Sequence, residues 1–241
     1  MGSKRRRLRP LAAELCRAYP DLECPVAQIT EHGVLVDGRL VDNPRSLVGE
    51  GARIELRVAT PLRGEAKLRA ALEVFDVRVG GRVALDLGAA AGGFTRVLLE
   101  KRAARVYAVD AGYGQLLGSL RQDARVVVLE CTNLADLDPR SVPEPIDLIT
   151  IDLSYLAVRA AAAQLDAIDV ADDADLVALV KPMFELGLAS PPIEDAELLR
   201  ALARAGTGLE TAGWTVVSSI RSPVTGARGA IEFLVYARRG A

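Results

Sequence analysis

The chain has 241 residues, a formal net charge of −2 and 50% hydrophobic side chains. That is too long for one minimal domain, short for two large ones, and apolar enough to bury a sizeable core. No apolar run nears the ~20 residues of a membrane span, the basic N-terminus lacks a secretory h-region, and Cys16, Cys24, Cys131 and the single histidine, His32, fit no metal pattern.

Residues 1–58 read as a small α+β module. Leu8, Leu11 and Leu15, then Val26 and Ile29, sit at helical spacings, and Pro20 and Pro25 divide them into two short helices. Gly33–Leu40 alternates around Asp37-Gly38, a hairpin signal, and Arg53–Val58 supplies a last strand. Residues 1–60 carry a net charge of +2, the remainder −4. Lys4, Arg5, Arg6, Arg7 and Arg9 form a basic run that can neutralise phosphates or simply be a solvated end.

Residues 59–63 read as a linker and 64–241 as a second domain. Short runs, apolar throughout, recur at Val83–Leu87, Val106–Asp110, Val126–Leu129, Leu148–Asp152 and Leu176–Val180, as expected of strands buried on both faces. Helical stretches are expected at 93–103, 155–168 and 194–205. This predicts an α/β, Rossmann-like, doubly wound parallel sheet. Two strands, Trp214–Ile220 and Ile231–Tyr236, joined by a Pro/Gly-rich turn, close it.

Asp86–Phe94 marks the candidate cofactor turn, where a buried strand ends and a helix begins. Gly88, Gly92 and Gly93, with Ala89 and Phe94 beside them, let backbone approach a ligand, and the helix start can receive a carboxylate. The spacing departs from the dinucleotide fingerprint. S-adenosylmethionine, which carries a carboxylate and no phosphate, fits better. In isolation the segment is equally a tight strand-to-helix turn. Asp110, ending the second strand, can accept both ribose hydroxyls of an adenosine or cap the following segment. Asn133 can touch an adenine edge or serve as a turn residue.

Four further ionisable residues stand out. Asp152 and Lys181 end the fourth and fifth strands, where active sites of open α/β sheets lie. Lys67 sits on a helical pattern before the first strand. Glu232 falls in the last apolar strand, where a lone carboxylate is costly. Each alone reads sooner as half of a structural ion pair than as a functional group.

Taken in order along residues 63–236, these segments resemble the TlyA/FtsJ-like family of ribose 2′-O-methyltransferases, whose TlyA branch is often labelled hemolysin. The matches are Arg63-Gly64 with Lys67-Leu68, Asp86–Phe94, Ala104–Asp110 with Gly112–Gln115, Leu120–Asp123, Ile151–Ser154, Leu179–Pro182 with Phe184-Glu185, Ser222-Pro223 with Gly226, and Ile231–Leu234. The resemblance implies a class I methyltransferase sheet, S-adenosylmethionine as cofactor and RNA, ribosomal RNA above all, as substrate. It places the family's Lys-Asp-Lys-Glu tetrad on Lys67, Asp152, Lys181 and Glu232. It also implies that residues 1–58 are an S-four-type RNA-binding domain. A cytoplasmic enzyme without a metal is expected. The chain departs from the family in a shortened loop, Glu185–Ser190, and aromatic residues make up only 4% of it, which limits base stacking. A relative redirected to a small molecule, and a non-catalytic RNA- or ribosome-binding protein, are the alternatives.

The chemistry implied is an in-line displacement of methyl from sulfur to a hydroxyl that loses its proton. A free lysine holds its own proton at neutral pH. Burial and a second lysine ease its release, and carboxylates oppose it. Lys181 is expected to act as base or alkoxide stabiliser, Asp152 as its partner, and Lys67 and Glu232 as orienting groups.

Overall fold

The computed structural model describes residues 7–56 and 61–240. Lys4–Arg6 of the basic run, the end of the strand expected over 53–58 and residues 59–60 of the expected linker lie outside them. The chain forms two compact units. The first comprises the described part of Met1–Thr60 with Leu117–Gln122, and the second comprises Pro61–Leu116 with Asp123–Ala241.

In the first unit, β1 (Leu8–Pro10) leads into α1 (Leu11–Ala18). Leu8 was expected in the helix. Arg9 precedes a proline, which drives it to extended backbone, so the helix begins only after Pro10. α1 buries Leu11 and Leu15. α2 (Pro25–Ala27) runs into a wide turn, Gln28–His32, closed by Gly33 with φ +65°. The hairpin expected around Asp37-Gly38 is β2 (Val34–Val36) with β3 (Arg39–Val41). Both turn residues have positive φ, the conformation a two-residue hairpin loop requires. β4 (Leu47–Gly49) pairs with β1, and β5 (Ile54–Leu56) pairs with β2. Leu11, Leu15, Ile29, Val34, Val48 and Ile54 form the core.

The second unit opens with α3 (Arg63–Val74) and then alternates. β6 (Val83–Leu87), α4 (Gly93–Glu100), β7 (Arg105–Asp110), α5 (Gly118–Gln122, grouped with the first unit), β8 (Val126–Glu130), β9 (Ile146–Ile151), α6 (Val158–Ala162), β10 (Val170–Val180), α7 (Pro182–Leu186), α8 (Asp195–Thr211), β11 (Trp214–Arg221) and β12 (Phe233–Arg239) follow. The seven strands lie in the order β11-β12-β10-β9-β6-β7-β8. β8, β7, β6, β9 and β10 are mutually parallel, and β12 and β11 close the edge antiparallel. This is the Rossmann-like sheet expected from the sequence, parallel throughout except for the two strands that close it. Strand order reverses between β6 and β9, which puts a crevice at their carboxyl ends. No helix among the described residues is long and apolar enough to cross a membrane.

Three expectations differ in detail. The helix expected over 155–168 splits into α6 and a single turn at Leu165–Ala167. β10 begins at Val170, earlier than Leu176, because Asp172 and Asp173 interrupt its apolar run without interrupting the strand. Glu232 lies one residue before β12 rather than within it.

Asp86, within β6, is sealed from solvent. It accepts hydrogen bonds from the hydroxyls of Thr95 (2.6 Å) and Thr150 (2.9 Å). Burial pushes its carboxyl up to about 6, with the two hydroxyls pulling the other way. The folded chain therefore keeps a proton that the unfolded chain releases near pH 4. The resulting stability is present below that pH and is lost as pH rises to about 6, by up to about 3 kcal/mol. Asp86→Asn is expected to remove this slope, measured as the wild-type minus mutant difference in urea-unfolding free energy from pH 4 to 7. Parallel profiles would show that the carboxyl is already ionised at pH 4 in the folded chain.

Candidate active site

The sheet register assembles the site. Leu87 of β6 pairs with Val109 of β7 and Ile151 of β9, so these strands stop at one level. Val180 of β10 is opposite Phe233 of β12. The next residues outward, Gly88, Asp110, Asp152, Lys181 and Glu232, therefore emerge along a single sheet edge.

Lys67 reaches the same place from α3. Its Nζ lies 2.6 Å from Oε2 of Glu232, and both residues are buried. Lys181 Nζ lies 2.6 Å from Oδ1 of Asp152. It also meets the Leu153 carbonyl at 2.9 Å and the Ser154 hydroxyl at 3.0 Å. Three contacts match the three N–H groups of an ammonium. All four residues line one cavity of about 520 Å³, with Gly88 and Ala90 of the glycine turn also in its wall.

Close backbone approach explains the glycines. A Cβ on Gly88 would fall 2.5 Å from the Asp152 carbonyl oxygen, and its φ is +89°. Only glycine lets the β6 turn lie against the residue that carries the site's carboxylate. Gly92, with φ +96°, starts α4. Between them Ala90 also has a left-handed backbone, φ +46°. Its N–H donates to Asp110 Oδ2 at 2.8 Å, and the Gly112 N–H donates to Asp110 Oδ1 at 2.7 Å. Each Asp110 oxygen keeps a lone pair, enough to accept two vicinal hydroxyls. The Glu130 carboxylate accepts the N–H groups of Gly114, Gln115 and Leu116, which holds the loop after β7.

Of the expected cofactor residues, Gly88 and Asp152 line the cavity, and Gly92 and Asp110 lie outside its wall. Asp86 is fully buried between its two threonines and supports the turn from behind. Gly93 is a helix-packing glycine: its Cβ would lie 3.1 Å from Gly64 Cα, so it seats α3 on α4. Phe94 is buried beneath the same contact. Ala89 is buried, with its N–H on the Val109 carbonyl. Asn133 caps the short turn Leu134–Asp136, its amide on Asp136.

The cavity also presents Ala90, Ser154 and Arg63, which lie in matched segments but were given no role from sequence, and Arg228, which lies in none. Arg63 precedes Lys67 by one helical turn, the spacing that shares a face. Glu185 is buried on α7 and accepts the Val158 N–H at 2.5 Å, so it ties the segment after Lys181 to the start of α6. Burial pushes its carboxyl up, against that hydrogen bond.

The sequence model described as FtsJ-like methyltransferase matches residues 61–239. The 16S/23S rRNA (cytidine-2′-O)-methyltransferase TlyA of Mycobacterium tuberculosis is 42% identical over 184 residues, 73% of this chain and 67% of that protein. Hemolysin A of Brachyspira hyodysenteriae is 31% identical over 84% of this chain and 88% of its own length. Among solved structures, a Streptococcus thermophilus protein provisionally named a hemolysin superposes with a TM-score of 0.71 at 28% identity, covering 96% of this chain and 88% of that one. The match over the whole second unit, with the relatives' identity, shows that the chain belongs to the FtsJ-like methyltransferase family.

Proposed function

We propose that the protein transfers a methyl group from S-adenosylmethionine to a ribose 2′-hydroxyl of RNA, with ribosomal RNA as substrate. The observation that carries this reading is the meeting of two lysine–carboxylate pairs in one cavity beside the glycine turn. The rRNA methyltransferase among its relatives supports the choice of substrate. The N-terminal unit is read as an S-four-type RNA-binding module, which the net charge of +2 over residues 1–60 favours.

S-adenosylmethionine, when bound, supplies an electrophilic methyl on a sulfonium. The residues present fit it: Asp110 has spare acceptor capacity for a ribose diol, and the Gly88 turn leaves backbone without side chain at the cavity wall. Lys181 meets the substrate hydroxyl. Among its three contacts the Ser154 hydroxyl is the one free to rotate away, opening a position toward an incoming oxygen. As the new C–O bond forms and the C–S bond breaks to leave a neutral thioether, the hydroxyl proton leaves, to Lys181 if that amine is uncharged and otherwise to solvent. A charged Lys181 holds the nascent alkoxide. Asp152 fixes the Lys181 ammonium, and Glu232 holds Lys67 so that its charge faces the same space.

Labelled S-adenosylmethionine incubated with ribosomal subunits, naked ribosomal RNA or buffer is expected to label RNA. After alkaline hydrolysis the label should remain in dinucleotides, because a 2′-O-methyl blocks cleavage. Label confined to mononucleotides would move the reaction to a base. Cofactor binding without RNA label would point to a small-molecule acceptor.

Lys181→Ala is expected to slow single-turnover transfer about 10²- to 10⁴-fold while cofactor affinity changes less than about threefold. An unchanged rate would remove Lys181 from the chemistry. Gly88→Ala should do the reverse, weakening cofactor binding and stability together through its clash with the Asp152 carbonyl. Wild-type affinity in that variant would show that the turn does not shape the cofactor site.

A further inference from the structure

The cavity's charge does not match that of the protein. The chain as a whole is acidic, with an isoelectric point near 5.6. The cavity wall carries Arg63, Lys67, Lys181 and Arg228 against Asp152 and Glu232, a local excess of two positive charges. Both lysines are neutralised by their carboxylates, so the excess belongs to the two arginines.

Their positions differ in kind. Arg63 is committed to structure, since its guanidinium donates to the Thr225 carbonyl at 2.9 Å. That bond ties α3 to the loop 222–230. The loop is fixed at several further points. Ser222 N–H donates to the Glu232 carbonyl at 2.9 Å, Ser222 Oγ donates to the Val224 carbonyl at 2.7 Å, and Gly226 N–H donates to the Ala230 carbonyl at 2.7 Å. Gly226 lies directly against the carboxylate of Glu232, where a Cβ would fall 2.2 Å from Oε1. The loop is thus built onto a member of the candidate catalytic set.

Arg228 is what this loop presents. It is exposed, lines the cavity and forms no ion pair among the described residues. Its backbone is left-handed, with φ +55° and ψ +27°, and Gly229 follows at φ +76°. Glycine would occupy position 228 without strain, whereas an arginine there opposes the backbone's preference. A long cation held on a left-handed backbone in the wall of a cationic cavity fits a ligand anion better than solvent. A guanidinium pairs with a phosphodiester through two parallel hydrogen bonds.

We propose that Arg228 grips an RNA phosphate beside the nucleotide whose ribose enters the cavity, and so selects a nucleotide within a strand over a free nucleoside. The inference rests on the reading of RNA as substrate. Arg228 is a positioning residue: it sets where the strand lies and takes no part in methyl transfer itself.

Arg228→Gly tests this without a folding penalty, because it relaxes the backbone while deleting the charge. Arg102 provides a matched control. It too is an exposed arginine with positive φ (+68°), but it lies before β7, at the opposite edge of the sheet. For Arg228→Gly, KM for RNA is expected to rise about five- to tenfold, with the saturating rate and cofactor affinity changed less than about twofold. The salt dependence of log KM should lose about 0.7 in slope, one single-strand phosphate contact. Arg228→Lys should fall between, retaining a point charge without the fork, and Arg102→Gly should match wild type. Wild-type KM and salt slope in Arg228→Gly, or equal losses in Arg102→Gly, would overturn the inference while leaving RNA methylation intact. A wild-type enzyme that labels no RNA would overturn both.

Discussion

Everything at the site depends on charges held at an edge where apolar strands stop. Lys67 and Glu232 are buried, and removing two charges from water costs several kcal/mol per ion before any attraction is counted. The 2.6 Å contact between them offsets that cost, and loss of either partner would leave the other stranded. A buried pair of this kind is weak evidence for stability, because an apolar pair of equal volume would serve as well. Its presence in a cavity shared with the Lys181–Asp152 pair therefore points to chemistry.

Glycines convert that edge into a site. Gly88 lets the β6 turn touch the Asp152 backbone, Gly93 and Gly64 let α3 dock on α4, and Gly226 lets the loop before β12 lie on Glu232. The contacts at Gly88 and Gly226 are too close for a Cβ and that between Gly64 and Gly93 leaves little room for one, and each fixes a different charged residue. The α3–α4 contact delivers Lys67 from a helix far away in sequence. Asp86 plays a complementary part from below, where Thr95 of α4 and Thr150 of β9 both donate to it. A strand, the following helix and the neighbouring strand are thus fastened behind the turn.

Much of the sheet was legible in the sequence because strands buried on both faces leave short, uninterrupted apolar runs. Residues at their carboxyl ends could be named for the same reason, and Asp110, Asp152 and Lys181 do follow or end those strands. What sequence does not carry is direction. Asp86 sits two residues before a loop glycine, yet it lies inside a strand buried on both faces and is sealed there. Gly93 and Phe94 belong to the same motif as Gly88 but serve helix packing. Asn133 has the composition of a ligand-contacting turn and works as a cap. Arg228 was invisible, because its interest lies in a backbone torsion and an absent partner.

The central claim is that the two ion pairs act as one unit. A double-mutant cycle on single-turnover methyl transfer tests it most directly, combining Glu232→Gln with Asp152→Asn. If the pairs cooperate at one reacting centre, the double variant will be scarcely slower than the slower single variant, since removal of either pair already disables the assembly. Losses that multiply, with each substitution acting as though the other were absent, would contradict a shared centre.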